Sequence, residues 1–120
     1  MFWAGNFEGY LTQQYIIDAY HNFVDSVLNK TPDISTGAKG FINDQLEWID
    51  NQIKANNGSN YWQFVKGLIA QLKGMYRGYQ QKVNETGKVE DSLDFFHFYY
   101  LTNMGDLEDI IPAFDPSKMF

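Results

Sequence analysis

The chain has 120 residues, enough for one domain but not two. Nine Lys and Arg against fifteen Asp and Glu leave a net charge of −6, with no basic stripe to neutralise phosphates, which argues against a nucleic-acid surface. The absence of cysteine excludes a disulfide, a thiolate metal site and a cysteine nucleophile from this chain, and no apolar run reaches the roughly 18 residues of a transmembrane segment.

The opening, Phe2-Trp3-Ala4-Gly5-Asn6-Phe7-Glu8-Gly9-Tyr10-Leu11-Thr12, places two glycines around a predicted turn. A pocket could form beside that turn, and Trp3, Glu8 and Tyr10 are its candidate lining residues. Thr12 is positioned to cap a helix running to about Asn29. Ile16, Tyr20, Phe23, Val24, Val27 and Leu28 form its apolar stripe, and Thr31-Pro32-Asp33 breaks it.

A second helix is predicted from Thr36 or Gly37 to Ala55, with Ile42, Leu46, Ile49 and Ile53 on one face. Asn56-Asn57-Gly58 stops it. Ser59 caps a third helix carrying Trp62, Val65, Leu68, Leu72, Met75 and Tyr79 at heptad-like spacing. That stripe lasts under three heptads, so it predicts a packed helical hairpin rather than a coiled coil.

Asn84-Glu85-Thr86-Gly87-Lys88 then reads as a polar connection. Ser92 caps Leu93 to Leu101, a segment apolar on every side and therefore expected to be buried on every side. Its β-prone aromatics leave a strand as the alternative. Gly105 is expected to end it, Asp106 to cap a short helix, and Pro112 to stop that helix. No internal repeat is present.

Three triplets, Asn29-Lys30-Thr31, Asn57-Gly58-Ser59 and Asn84-Glu85-Thr86, match the N-glycosylation acceptor pattern. All three fall at predicted breaks between helices. His21 and His97 are the two imidazoles, and both read as hydrogen-bonded core residues before catalytic bases. Glu90, Asp91 and Asp94, and Asp106, Glu108 and Asp109, lack the spacing of a calcium loop; capping and helix-dipole roles explain them. No metal or cofactor site is predicted. Trp3, Trp48 and Trp62 read most simply as core anchors, Trp3 with the pocket as its alternative.

Aromatic residues make up 18% of the chain, which implies more buried surface than 120 residues easily provide for themselves. Burial against a second chain would resolve that surplus.

Three segments carry a family resemblance in consistent order. They are Ala4-Gly5 through Thr12 running into Ile16-Ile17-Asp18-Ala19-Tyr20-His21-Asn22; Tyr61-Trp62-Gln63-Phe64-Val65 with Gln71-Leu72-Lys73-Gly74; and Gly105 to Ile110. Together they resemble the first chain of the phospholipase B-like proteins, which are N-terminal-nucleophile hydrolases. The resemblance implies that residues 1–120 are a single partial domain, mainly α, forming a helical layer of an αββα sandwich completed by a second chain. It implies autocatalytic cleavage of a precursor and a second chain beginning with the nucleophilic Cys, whose α-amino group can serve as base. The expected substrate is an acyl lipid, the expected location lysosomal or secreted, and no catalytic residue carries over onto this chain. Upstream strands and a secretory leader are expected elsewhere on the precursor. Mammalian members have a cysteine pair in the connection after the first helix, where this chain has none, so that connection should be held differently. Two readings stay open beside it: a noncatalytic helical interaction or lipid-binding module, and a family member lacking activity.

Overall fold

The computed structural model describes residues 1–28 and 34–118, and among these the chain is mainly helical with no strand. Helix α1 spans Phe2–Leu11, α2 Gln13–Ser26, α3 Thr36–Ala55, α4 Asn60–Thr86, α5 Phe95–Tyr100 and α6 Met104–Phe114. Thr31-Pro32-Asp33 and Asn29 lie outside the described residues.

Helix α3 has the predicted bounds. Ser35 starts it, accepting a hydrogen bond from the Ala38 amide at 3.3 Å, and Asn56 ends it. Ser59 likewise caps α4 by accepting from the Trp62 amide at 3.4 Å. The described part of the cysteine-free connection is held by an apolar anchor, since Ile34 is buried among Phe23, Ala38 and Tyr100.

The first departure is at the amino end. Gly5 and Gly9 bracket no turn; both lie inside α1, buried against α4. A Cβ on Gly5 would overlap the carbonyl oxygen of Gln71, and one on Gly9 that of Met75. Reciprocally, a Cβ on Gly74 would overlap the Phe2 carbonyl and one on Gly78 the Asn6 carbonyl. The pairing 5 with 71 and 9 with 75 makes the two helices parallel. Glycine at four positions spaced in fours lets the backbones touch, with Cα–H groups of one helix on carbonyls of the other. Thr12 also plays a different part, donating its hydroxyl to Glu8 O at 2.7 Å and so closing α1 rather than capping α2.

Helix α4 runs past its predicted end. Asn84-Glu85-Thr86 completes its last turn, and Gly87, at φ 72°, supplies the left-handed residue that ends it. Buried Val83 anchors that turn while the polar residues point outward. The predicted seam on α4 is also displaced. Its tight neighbour is α1 rather than α3, and of the six seam residues Tyr79 alone is fully buried while Leu68 is exposed.

The aromatic segment is helical, which removes the strand alternative. Asp94, not Ser92, caps it by accepting from the His97 amide at 2.8 Å. Its burial is divided rather than uniform. Tyr100 enters a core built from α2, α3 and α6, with Phe23, Ile42, Leu107 and Ile111. Phe98 enters a second core with Ile17, Tyr79 and Val83. Phe95, Phe96, His97 and Tyr99 stay half-buried.

Gly105 and Pro112 both lie inside α6. Pro112 is tolerated in the last turn because the group it leaves unpaired, the carbonyl of Glu108, belongs to an exposed residue and can take water. The tryptophans are not core anchors: Trp3 is 76% and Trp48 53% exposed, while half-buried Trp62 lies edge-to-face against Trp48.

The six helices form a slab of 44 × 37 × 18 Å, about two helices thick. Its radius of gyration is 15.5 Å, against about 13.6 Å for a self-contained domain of this length. The surface of 7544 Å² likewise exceeds the roughly 6,700 Å² of a folded monomer of the same mass.

Candidate functional site

The α1–α4 pair sets the geometry of the candidate site. Along α1, Trp3, Phe7 and Leu11 follow at intervals of four, exposed by 76%, 66% and 60%, on the side away from the glycine contact. Trp3 lies edge-to-face with Phe2, ring centroids 5.1 Å apart, and Glu8 is exposed. Tyr10 is half-buried, and its hydroxyl donates to Glu85 Oε2 at 2.5 Å while Lys82 Nζ stands 4.9 Å from the ring centroid. The hydrogen bond to Glu85 raises the Tyr10 hydroxyl above its usual pKa. Of the three candidate lining residues, the structure therefore joins Tyr10 to a charged cluster at the end of α4 and leaves Trp3 and Glu8 on the outer surface of α1.

Beside that cluster is a polar concavity of about 580 Å³, lined by Arg77, Gln80, Gln81, Asn84 and Glu85 of α4 with Ser92 and Leu93 of the following loop. Two tyrosines strap the loop down. The Tyr76 hydroxyl donates to Leu93 O at 2.9 Å, and the Tyr79 hydroxyl donates to Asp91 O. Burial pushes the Tyr79 hydroxyl up to about 12, against the opposing pull of the Gln13 amide.

Gln13 gives no signal in the sequence. It stands one residue after a helix break and reads as solvated, yet it is 4% exposed. Its amide acts on the Tyr79 hydroxyl, which ties the start of α2 to α4.

The two histidines differ. His97 is half-buried, with Nδ1 2.6 Å from Asp94 Oδ1 and its ring edge-on to Tyr20 and Tyr100. His21 is exposed, so its expected place in the core is corrected: it lies on the outer side of α2, while Tyr20 before it packs against the cores. Asp94→Ala should lower stability by about 1 kcal/mol through loss of the cap on α5, whereas His21→Ala should stay within about 0.5 kcal/mol. Urea denaturation of both variants measures this, and equal losses would contradict the two placements.

Among the acceptor triplets, Asn57 is exposed in the turn between α3 and α4. Asn84 is also exposed but lies on the last turn of α4 and borders the polar concavity, not at a break as predicted. Asn29 lies outside the described residues. Asp106, Glu108 and Asp109 are exposed on α6, with Asp106 in its first turn. No helix among the described residues is long and apolar enough to cross a membrane.

The sequence that builds this geometry matches a known family. The sequence model of the Phospholipase B family matches residues 1–120. Phospholipase B-like 1 of Rattus norvegicus is 32% identical over 118 residues, covering 98% of this chain and 21% of the relative. Phospholipase B of Crotalus adamanteus is 35% identical over 113 residues, covering 94% and 20%. Phospholipase B-like protein G of Dictyostelium discoideum is 33% identical over 119 residues, covering 98% and 19%. The chain spans about a fifth of the length of these relatives. With the whole of its sequence matched by the family model and relatives above 30% identity over nearly all of it, this chain belongs to the phospholipase B family.

Proposed function

We propose that this chain is a noncatalytic helical segment of a phospholipase B-like hydrolase that cleaves acyl ester or amide bonds of lipids. It forms one outer layer of an αββα sandwich, and the nucleophile is the N-terminal Cys of a second chain cut from the same precursor. The observation that carries this reading is the outer face of α1. Of nine basic and fifteen acidic side chains in the chain, Glu8 alone falls within residues 1–17. A helix whose exposed row is Trp3, Phe7 and Leu11, and which has almost no charge to hold it in water, is built to be covered.

N-terminal sequencing of material copurifying with this chain tests the reading and should give Cys at the first position. Replacing that Cys by Ala should block both self-cleavage and acyl release, because one thiol performs both steps. Hydrolysis by this chain alone, or a partner without an N-terminal Cys, overturns it in favour of a binding module or an inactive family member.

A lysosomal or secreted location carries its own expected result. Asn57 and Asn84 are exposed, and both should bear glycans in native material. Mass spectrometry before and after glycosidase treatment should show the corresponding losses; unmodified Asn at both positions would count against that location.

A further inference from the structure

A recess of about 190 Å³ opens where α3, α4 and α5 meet. Leu46, Ile49 and Ile53 line it from α3, Ile69 and Leu72 from α4, and Phe95 from α5. All six are half-buried, and the recess is an unfilled apolar space beside the two cores, with Leu46 packed against one and Leu72 against the other. No hydrogen-bonding group interrupts these six walls, which suits a hydrocarbon and disfavours a polar ligand.

Its rim is charged. Asp50 and Lys73 complete the lining, and Lys54 Nζ lies 2.7 Å from Asp50 Oδ2. The hydrogen bond from Lys54, with a further contribution from Lys73, holds the Asp50 carboxyl below its usual value. Asp50 is thus committed to Lys54, and Lys73 has no carboxylate within ion-pair distance among the described residues. Two ammonium groups around one carboxylate make a positive mouth on a chain of net charge −6.

We infer that this recess binds a single acyl chain ending in a carboxylate, with the hydrocarbon among Leu46, Ile49, Ile53, Ile69 and Leu72 and the carboxylate at Lys73. The positive rim selects an anionic amphiphile over a cationic one. The geometry of the site stands apart from the function proposed above, which enters in one respect: hydrolysis of an acyl ester or amide is the class of reaction that releases this ligand.

Calorimetric titration of the complete mature protein at neutral pH, below the micellar concentrations, tests the site with saturated carboxylates from butanoate to dodecanoate and with octyltrimethylammonium. One molecule of octanoate should bind, and the cation should not. Affinity should rise about fourfold per added methylene and then level off near octanoate, when the recess of about 190 Å³ is full. Lys73→Glu should weaken octanoate by about tenfold or more, Lys88→Glu should leave it unchanged, and Ile53→Trp should fill the recess and abolish it. Equal binding of anion and cation, a rise with chain length that never levels off, indifference to Lys73→Glu, or no binding to the folded protein because the remainder of the precursor fills the recess would each overturn the inference. Loss of octanoate binding with acyl release intact removes this site alone, whereas loss of acyl release with octanoate binding intact removes the proposed function alone.

Discussion

Gly9→Ala and Gly78→Ala should each cost about 3 kcal/mol or more, enough to unfold a marginally stable domain at physiological temperature. Two effects oppose each other at these positions. Alanine in a helix interior gains up to about 1 kcal/mol over glycine. Against it, the new methyl would meet the backbone carbonyl of Met75 or of Asn6 closer than 3.0 Å, a contact no rotamer change relieves. The helices must then separate along their whole shared length, which opens the other three glycine contacts as well. The clash therefore wins. Gly40→Ala is the control, since Gly40 is helical and a Cβ there meets nothing within 4 Å. It should stabilise by about 0.5–1 kcal/mol. Urea denaturation midpoints decide the matter, and a Gly9→Ala variant as stable as Gly40→Ala would sink the parallel packing of α1 on α4.

Trp3→Ala in the complete protein should cost about 3–5 kcal/mol, the loss usual for a buried tryptophan. Within this chain Trp3 is 76% exposed, a position where truncation would ordinarily change stability by no more than about 0.5 kcal/mol. The two values are far enough apart for one measurement to separate them. A loss near the upper value places the α1 row against a covering layer. A loss within the lower one leaves that row in water and removes the main support for the proposed function. Trp48→Ala, 53% exposed and already partnered by Trp62, should fall between them.

Local signals were legible where local physics decides. The bounds of α3 follow from an amphipathic period of Ile42, Leu46, Ile49 and Ile53 closed by Asn56-Asn57-Gly58, and Ser59 caps α4 because its hydroxyl needs only the amide three residues on. The same logic misled at Asn84-Glu85-Thr86, where polarity reads as a loop although the residues form the outward side of a helix anchored by Val83. It misled at His21 and Trp48 too, because residue type suggests burial but cannot say which side of a helix faces the core. The sequence pointed to Ser92 as the cap of the aromatic segment, whereas Asp94 takes that place at the end of the loop strapped by Tyr76 and Tyr79.

By itself the sequence determined a mainly helical chain, the positions of α3 and its flanking turn, and membership of the phospholipase B family through its ordered motifs. Helix period, capping and motif order are encoded in neighbouring residues, so they can be read without a partner. The tertiary structure alone decided that Gly5 and Gly9 are a contact surface rather than a turn. A glycine permits both a bend and a close approach, and only Gly74 and Gly78, brought across from α4, select between them. It likewise decided that the apolar stripes of α3 and α4 leave a recess unfilled, since the volume between two helices depends on their spacing, and their spacing on every other contact in the slab.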